Sequence, residues 1–140
     1  MNSIGIIPAR YASTRFPAKP LIDIRGKTMI QRVYEQAKKA TALDYVAVAT
    51  DDERIFNAVQ AFGGEALMTS EHHQSGTDRC LDAVEQVDEE FDIIVNIQGD
   101  EPFISPDQIN LILSCFNQEN TEIATLVKLI EDEKTLWDIN

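Results

Sequence analysis

The sequence is poor in several things at once, and each shortage excludes a class of protein. It holds only two cysteines, Cys80 and Cys115, in 140 residues. Neither has a neighbour at metal-ligand spacing, which argues against a zinc site and fits a reducing compartment. Both stand among apolar residues at helical spacing, so buried free thiols are expected. No apolar run approaches the roughly 20 residues needed to span a bilayer. The N-terminus lacks the basic-then-apolar order of a secretory leader. A cytoplasmic protein with no membrane partner is expected. Basic residues are also scarce, with 12 Lys and Arg against 24 Asp and Glu and a formal net charge of -12. A nucleic-acid binder normally shows a basic face, so no nucleic-acid partner is expected. A glycine-rich phosphate loop is missing too. Gly5 lies inside an apolar run, and no Gly-Lys-Ser/Thr follows it, which excludes a Walker A or dinucleotide loop.

What is present reads as one α/β domain. Hydrophobic residues make up 44% of the chain, enough for a core. Four short runs rich in Ile and Val, at Ser3–Pro8, Asp44–Ala49, Asp92–Ile97 and Glu122–Lys128, show little polar alternation. Runs of that kind fit parallel strands covered on both faces. Glu65–Met68 is a candidate short extra strand. Helix-period segments lie between them. Thr28–Ala40 opens on a Thr28…Gln31 capping box, and Thr50–Phe62 on a Thr50…Glu53 box with Gly63-Gly64 as its stop. Thr77–Val87 follows, and Ser105-Pro106 opens a last helix with Ile109, Ile112, Leu113 and Phe116 facing inward. Alternating strands and helices predict a mainly parallel sheet whose strand C-termini share one edge, the edge where such sheets bind ligands.

That edge gathers the residues with chemistry. The first strand ends at Pro8 and delivers a loop carrying Arg10, Arg15 and Lys19, with Arg25 and Lys27 soon after. Arginine grips phosphate oxygens bidentately and lysine acts as a point charge, so this loop suits a polyphosphate. Arg10 is placed best, then Lys19, stiffened by Pro17 and Pro20, with Arg15 third. Asp100 and Glu101 follow the most apolar strand. An acid there is a magnesium-ligand position, because Mg2+ takes one or two carboxylates plus phosphate oxygens and water. Asp100 is the expected ligand, against the plainer reading of a Gly99-Asp100 turn. Asp51-Asp52 is read as structural, since a helix N-terminus favours carboxylates anyway. His72-His73 is poor zinc spacing. Ser75-Gly76-Thr77 before a helix offers hydroxyl and backbone N–H groups suited to a base or a sugar, or simply a cap. Arg79, just inside that helix, could reach an anionic group.

Three of these stretches together resemble one family. Ile7 to Leu21 (IPARYASTRFPAKPL), His73 to Arg79 (HQSGTDR) and Asn96 to Pro102 (NIQGDEP) look like 3-deoxy-manno-octulosonate (Kdo) cytidylyltransferases, also called CMP-Kdo synthetases. The resemblance runs through all 140 residues. It implies a nucleotide-diphospho-sugar transferase type fold, a Rossmann-like three-layer sandwich. It implies coupling of CTP with Kdo to give CMP-Kdo and pyrophosphate for lipopolysaccharide synthesis. By position, Arg10, Lys19 and Asp100 would be catalytic. Arg10, Lys19 and Arg15 would hold the nucleotide's phosphates, the Ala9 backbone and Ser75-Gly76 its cytosine, and Asp100 the Mg2+. Arg79 and Gln98 would hold the sugar acid, with Arg79 near its carboxylate. Family members are longer and a homodimer is implied for them, so residues 1–140 are expected to be an N-terminal nucleotide-binding domain. A CTP-binding module without turnover, or a transferase for a related sugar acid such as 8-amino-Kdo, is the alternative.

Overall fold

The computed structural model describes residues 1–12 and 17–126. Strand β1 (Ser3–Ala9) is followed by a short hairpin of β2 (Asp23–Ile24) and β3 (Lys27–Thr28), then helix α1 (Met29–Lys38). Next come β4 (Tyr45–Thr50), α2 (Glu53–Ala61), β5 (Ala66–Met68), α3 (Gly76–Glu85), β6 (Ile93–Asn96) and α4 (Pro106–Ser114). The main sheet has the order β5-β4-β1-β6, and every pair in it is parallel. Among the described residues, no helix is long and apolar enough to cross a membrane.

The two central strands, β1 and β4, are mostly apolar because both of their faces are covered. Side chains alternate across a strand. Ile7 and Ala9 of β1 therefore join one cluster with Ile30 and Val33 of α1, Ile55 and Val59 of α2, and Ile109 and Leu113 of α4. Ile4 and Ile6 point the other way, with Ala47, Ala49 and, from α3, Cys80 and Ala83. The second face is more thinly covered, and Ile94 of β6 stays 43% exposed.

Local signals set the helix starts. The Thr28 side chain accepts a hydrogen bond from the Gln31 amide, as its capping box predicts. The box expected at Thr50…Glu53 does not form. Thr50 is the last residue of β4 and fully buried, and the cap is Asp52, whose carboxylate accepts from the Arg54 amide at 2.8 Å. A carboxylate at that point also meets the positive end of the helix dipole. Gly63, with φ +84, ends α2 in the backbone region that favours glycine.

Four expectations need correction. The β2–β3 hairpin was not foreseen. Its turn puts Arg25 (φ 52) and Gly26 (φ 90) in left-handed conformations, and the Gly26 amide donates to Asp23. This takes Arg25 and Lys27 out of the cationic loop, and Lys27 instead pairs with Glu35 at 2.9 Å. Residues 122–126 form no strand, and Ile123 is 89% exposed, while Val127 and Lys128 lie outside the described residues. Cys80 is buried as expected but Cys115 is exposed. Ile112 of the last helical segment is only half-buried, whereas Ile109 and Leu113 are inside and Phe116, half-buried, packs against the core as expected.

The burial pattern gives a paired prediction. Ile7→Ala is expected to cost about 2–5 kcal/mol, because it leaves a cavity under α1. Ile123→Ala is expected to cost less than about 0.5 kcal/mol, because it removes an exposed side chain. Urea midpoints of the two variants check this; equal shifts would contradict the assignment of the core.

Candidate functional site

The parallel register puts Ala9 beside Thr50, and Ile6 beside Asn96, so β1, β4 and β6 all end at one edge. Arg10 leaves β1 directly into solvent there. The loop after it is stapled at its base, where the Ala18 amide donates to the Tyr11 carbonyl at 2.8 Å. Ala18 sits at φ 62, a left-handed turn directly before Lys19. The Tyr11 ring carries the Arg54 guanidinium 3.2 Å from its centre, and Arg54 in turn grips Asp52 through two hydrogen bonds of 3.0 and 2.7 Å. That grip holds the Asp52 carboxyl below the usual range. Asp52 thus belongs to the scaffold.

From β6 the chain crosses the end of β1. The Ile97 amide still donates to Ile6, and Gly99 then lies against the Pro8 carbonyl. A Cβ on Gly99 would stand 3.0 Å from that oxygen, so a larger residue would need the Pro8 backbone to give by a few tenths of an ångström. The result is a cavity of about 210 Å³ lined by Pro8, Ala9, Arg10, Lys19, Gln98 and Asp100 among others. Lys19 Nζ lies 3.4 Å from Asp100 Oδ2, with both side chains about half exposed. Two roomier hollows exist, about 280 Å³ at the opposite edge and about 380 Å³ beside β6. Neither has a Lys or Arg side chain in its lining.

Across Pro8 stands the start of α3. Ser75 caps it by accepting from the Asp78 amide at 3.1 Å, and a Cβ on Gly76 would meet the Pro8 ring at 3.4 Å. The turn leading in is held by Asp82. Its carboxylate lies 2.7 Å from His73 Nε2 and accepts from the Ser70 amide and from Gln86. These bonds, with His73 first, pull the Asp82 carboxyl down to about 2. His72 is exposed, and neither histidine lines the cavity.

Of the residues singled out in the sequence, Ala9, Arg10, Lys19, Gln98 and Asp100 therefore converge, with Ser75-Gly76 next to them. Arg15 lies outside the described residues. Arg79 departs from expectation. It was read as free to reach a ligand's carboxylate, yet its side chain is only 1% exposed and is absent from the cavity's lining. Its Nη1 donates to Thr69 Oγ1 and to the Ser70 carbonyl, and its Nη2 sits 3.6 Å from Asp51. Asp51 thus pairs with Arg79 and does more than face a helix dipole. Sequence reasoning also missed Thr69, and it read Gly99 only as part of a turn. For Gly99 a signal existed, a glycine between a buried strand and an acid. Among the described residues, no three His, Cys, Asp or Glu side chains gather as a metal site. Asp100 alone supplies a carboxylate to the cavity, which fits a cation that draws its other ligands from phosphate and water.

Residues 4–140 match the family model described as cytidylyltransferase. The chain belongs to the cytidylyltransferase family. Within that family it is 66% identical over 128 residues to the 3-deoxy-manno-octulosonate cytidylyltransferase of Parabacteroides distasonis, covering 91% of this chain and 50% of that protein. It is 53% identical over 140 residues to the enzyme of the same name from Cytophaga hutchinsonii, covering all of this chain and 56% of that one. The chain thus spans about half the length of the curated relatives it matches. A solved structure of CMP:2-keto-3-deoxy-manno-octonic acid synthetase complexed with CTP superposes with a TM-score of 0.81 at 49% identity, covering 85% of this chain and 48% of that one. The parallel sheet flanked by helices is the nucleotide-diphospho-sugar transferase type of fold, as the motifs implied.

The Asp82 carboxyl gives this site an acid limit. Its native value of about 2 lies below the ordinary 3.8, so its contribution to stability is present above pH 3.8 and is lost as pH falls through about 2. Asp82→Asn is expected to flatten the fall in urea midpoint across that window. A slope equal to wild type would contradict the His73–Asp82 anchor.

Proposed function

We propose that this chain is the nucleotide-binding α/β domain of a Kdo cytidylyltransferase, which joins CTP to Kdo and releases pyrophosphate. The observation that carries the reading is the meeting of Arg10, Lys19 and Asp100 in one cavity at the end of β1. The likeness to a structure complexed with CTP supports it. Arg10 and Lys19 hold the triphosphate. The Ala9 backbone and Ser75-Gly76 meet the cytosine from the two sides of Pro8, and Gln98 faces the sugar acid. In the reaction the sugar's anomeric hydroxyl attacks the α-phosphorus in line. A new O–P bond forms, the α–β phosphoanhydride breaks, pyrophosphate leaves, and the hydroxyl proton passes to solvent.

Charge builds on the phosphoryl oxygens in that step, and fixed cations already aimed at them lower its barrier. Mg2+ held by Asp100, when bound, would add positive charge at the same oxygens and lower the pKa of the attacking hydroxyl. The Lys19–Asp100 pair is no obstacle, since an exposed ion pair is worth about 0–1 kcal/mol and yields readily to phosphate and metal. Arg15 is kept as a third phosphate contact. A cytoplasmic setting, delivery of the product to lipopolysaccharide synthesis and a homodimer for the longer family member belong to the same reading. A second reading, CTP binding without turnover, is favoured by the sugar side. Of Arg79 and Gln98, only Gln98 lines the cavity.

Pyrophosphate release from CTP, Kdo and Mg2+ separates the two readings. Turnover supports the transferase, whereas CTP binding by calorimetry with no release supports the module. In either case Arg10→Ala is expected to weaken CTP about ten- to a hundredfold, as a charge-assisted hydrogen bond is worth about 1.5–3 kcal/mol. Asp100→Ala is expected to abolish the dependence of binding or turnover on Mg2+. Unchanged behaviour of both variants would overturn the site.

A further inference from the structure

Arg79 is the only fully buried charged side chain among the described residues. Burying a guanidinium is expensive unless it is paired, and an apolar residue of similar size often serves stability as well. Arg79 Nη1 is hydrogen-bonded, whereas Nη2 is buried without a hydrogen-bond partner and has only the Asp51 carboxylate 3.6 Å away. From the first turns of α3 the side chain reaches Thr69 and Ser70 after β5, and Asp51 after β4. Thr69 is itself buried, and its amide donates to the Thr50 carbonyl at 2.8 Å. One side chain therefore ties α3 to two strand ends on the ligand-binding edge. The element it ties is the one that opens on Ser75 and Gly76, where a Cβ added to Gly76 would make ordinary contact with the Pro8 ring at 3.4 Å. Arg10 and Lys19 are held by other means, namely β1 itself and the Tyr11–Ala18 staple.

We infer that Arg79, with Thr69 and Asp51, is a positioning residue for base selection: it fixes Ser75-Gly76 at the distance from Pro8 where they read the base, and does not touch the ligand. The inference rests on the CTP reading above. Because the brace acts on one wall of the site only, it governs discrimination between bases and leaves the grip on the triphosphate alone.

The test is calorimetry of wild type, Thr69→Val and Asp51→Asn with CTP, UTP and inorganic triphosphate. Both variants keep the guanidinium and remove one of its partners. The preference for CTP over UTP is expected to fall about tenfold in each, since a displacement near 1 Å costs at least that at a positioned group. Triphosphate affinity is expected to stay within roughly twofold, as for distant, independent sites. The preference is a ratio within each variant, so partial loss of folded protein does not move it. A preference preserved in both variants would overturn the brace. So would equal weakening of CTP, UTP and triphosphate, which marks a merely structural role. Tighter triphosphate binding in Asp51→Asn would also overturn it, by revealing Arg79 as a direct anion contact. Failure of the wild-type chain to bind CTP at all would overturn the nucleotide reading itself, a result distinct from the other three.

Discussion

Everything at this site depends on β1 being paired in parallel on both sides. A strand at the centre of a parallel sheet has neighbours that end where it ends, so the loops after β1, β4 and β6 are forced to one edge. Pro8 sharpens the constraint. It brings no N–H to the ladder, and beyond Ile97 the pairing with β6 stops. The chain is then free to turn at Gly99 over the Pro8 carbonyl, while the other side of the Pro8 ring receives Gly76. Two glycines and one proline thus bring together the acid, the cations and the helix start.

Charge is used in two ways at that edge. Arg10, Lys19 and Asp100 are exposed and weakly committed, which leaves them available to a ligand. Arg79 is buried and bonded to its own chain through Nη1, with Nη2 near Asp51 but without a hydrogen bond, and Arg54 is tied to Asp52 and Tyr11. The distinction is between cations that bind and cations that hold the binders in place. It also accommodates an acidic protein with an anionic ligand, because the few cations facing the cavity are concentrated where the backbone directs them.

The parts of the structure legible in the sequence were those fixed by short-range physics. Strands β1 and β4 showed as apolar runs because both their faces are buried, and β6 showed as one although one of its faces is exposed. Thr28 and Pro106 marked helix starts through local capping chemistry. Arg10 could be placed because it directly follows β1, and Asp100 because it comes a few residues after β6. What the sequence hid was tertiary. Whether Thr50 or Asp52 caps α2 depends on Thr50 being drawn into the sheet. Arg25 and Lys27 looked like part of the cationic loop until a hairpin and Glu35 claimed them. Arg79 carries the same charge as Arg10, and nothing in its neighbours says that Thr69 and Asp51, distant in sequence, enclose it. The segment 122–126 has strand composition but no partner among the described residues.

The central claim is that the C-terminal edge of the sheet, between Arg10, Asp100 and the start of α3, receives CTP. Titrating the isotope-labelled chain with CTP and Mg2+ while following backbone amide signals tests it most directly. The account predicts the largest shifts at Ala9, Arg10, Lys19, Ser75, Gly76 and Asp100. Shifts centred instead on Met1, Ser3, Asn110 and Ser114, the hollow at the opposite edge, would contradict it.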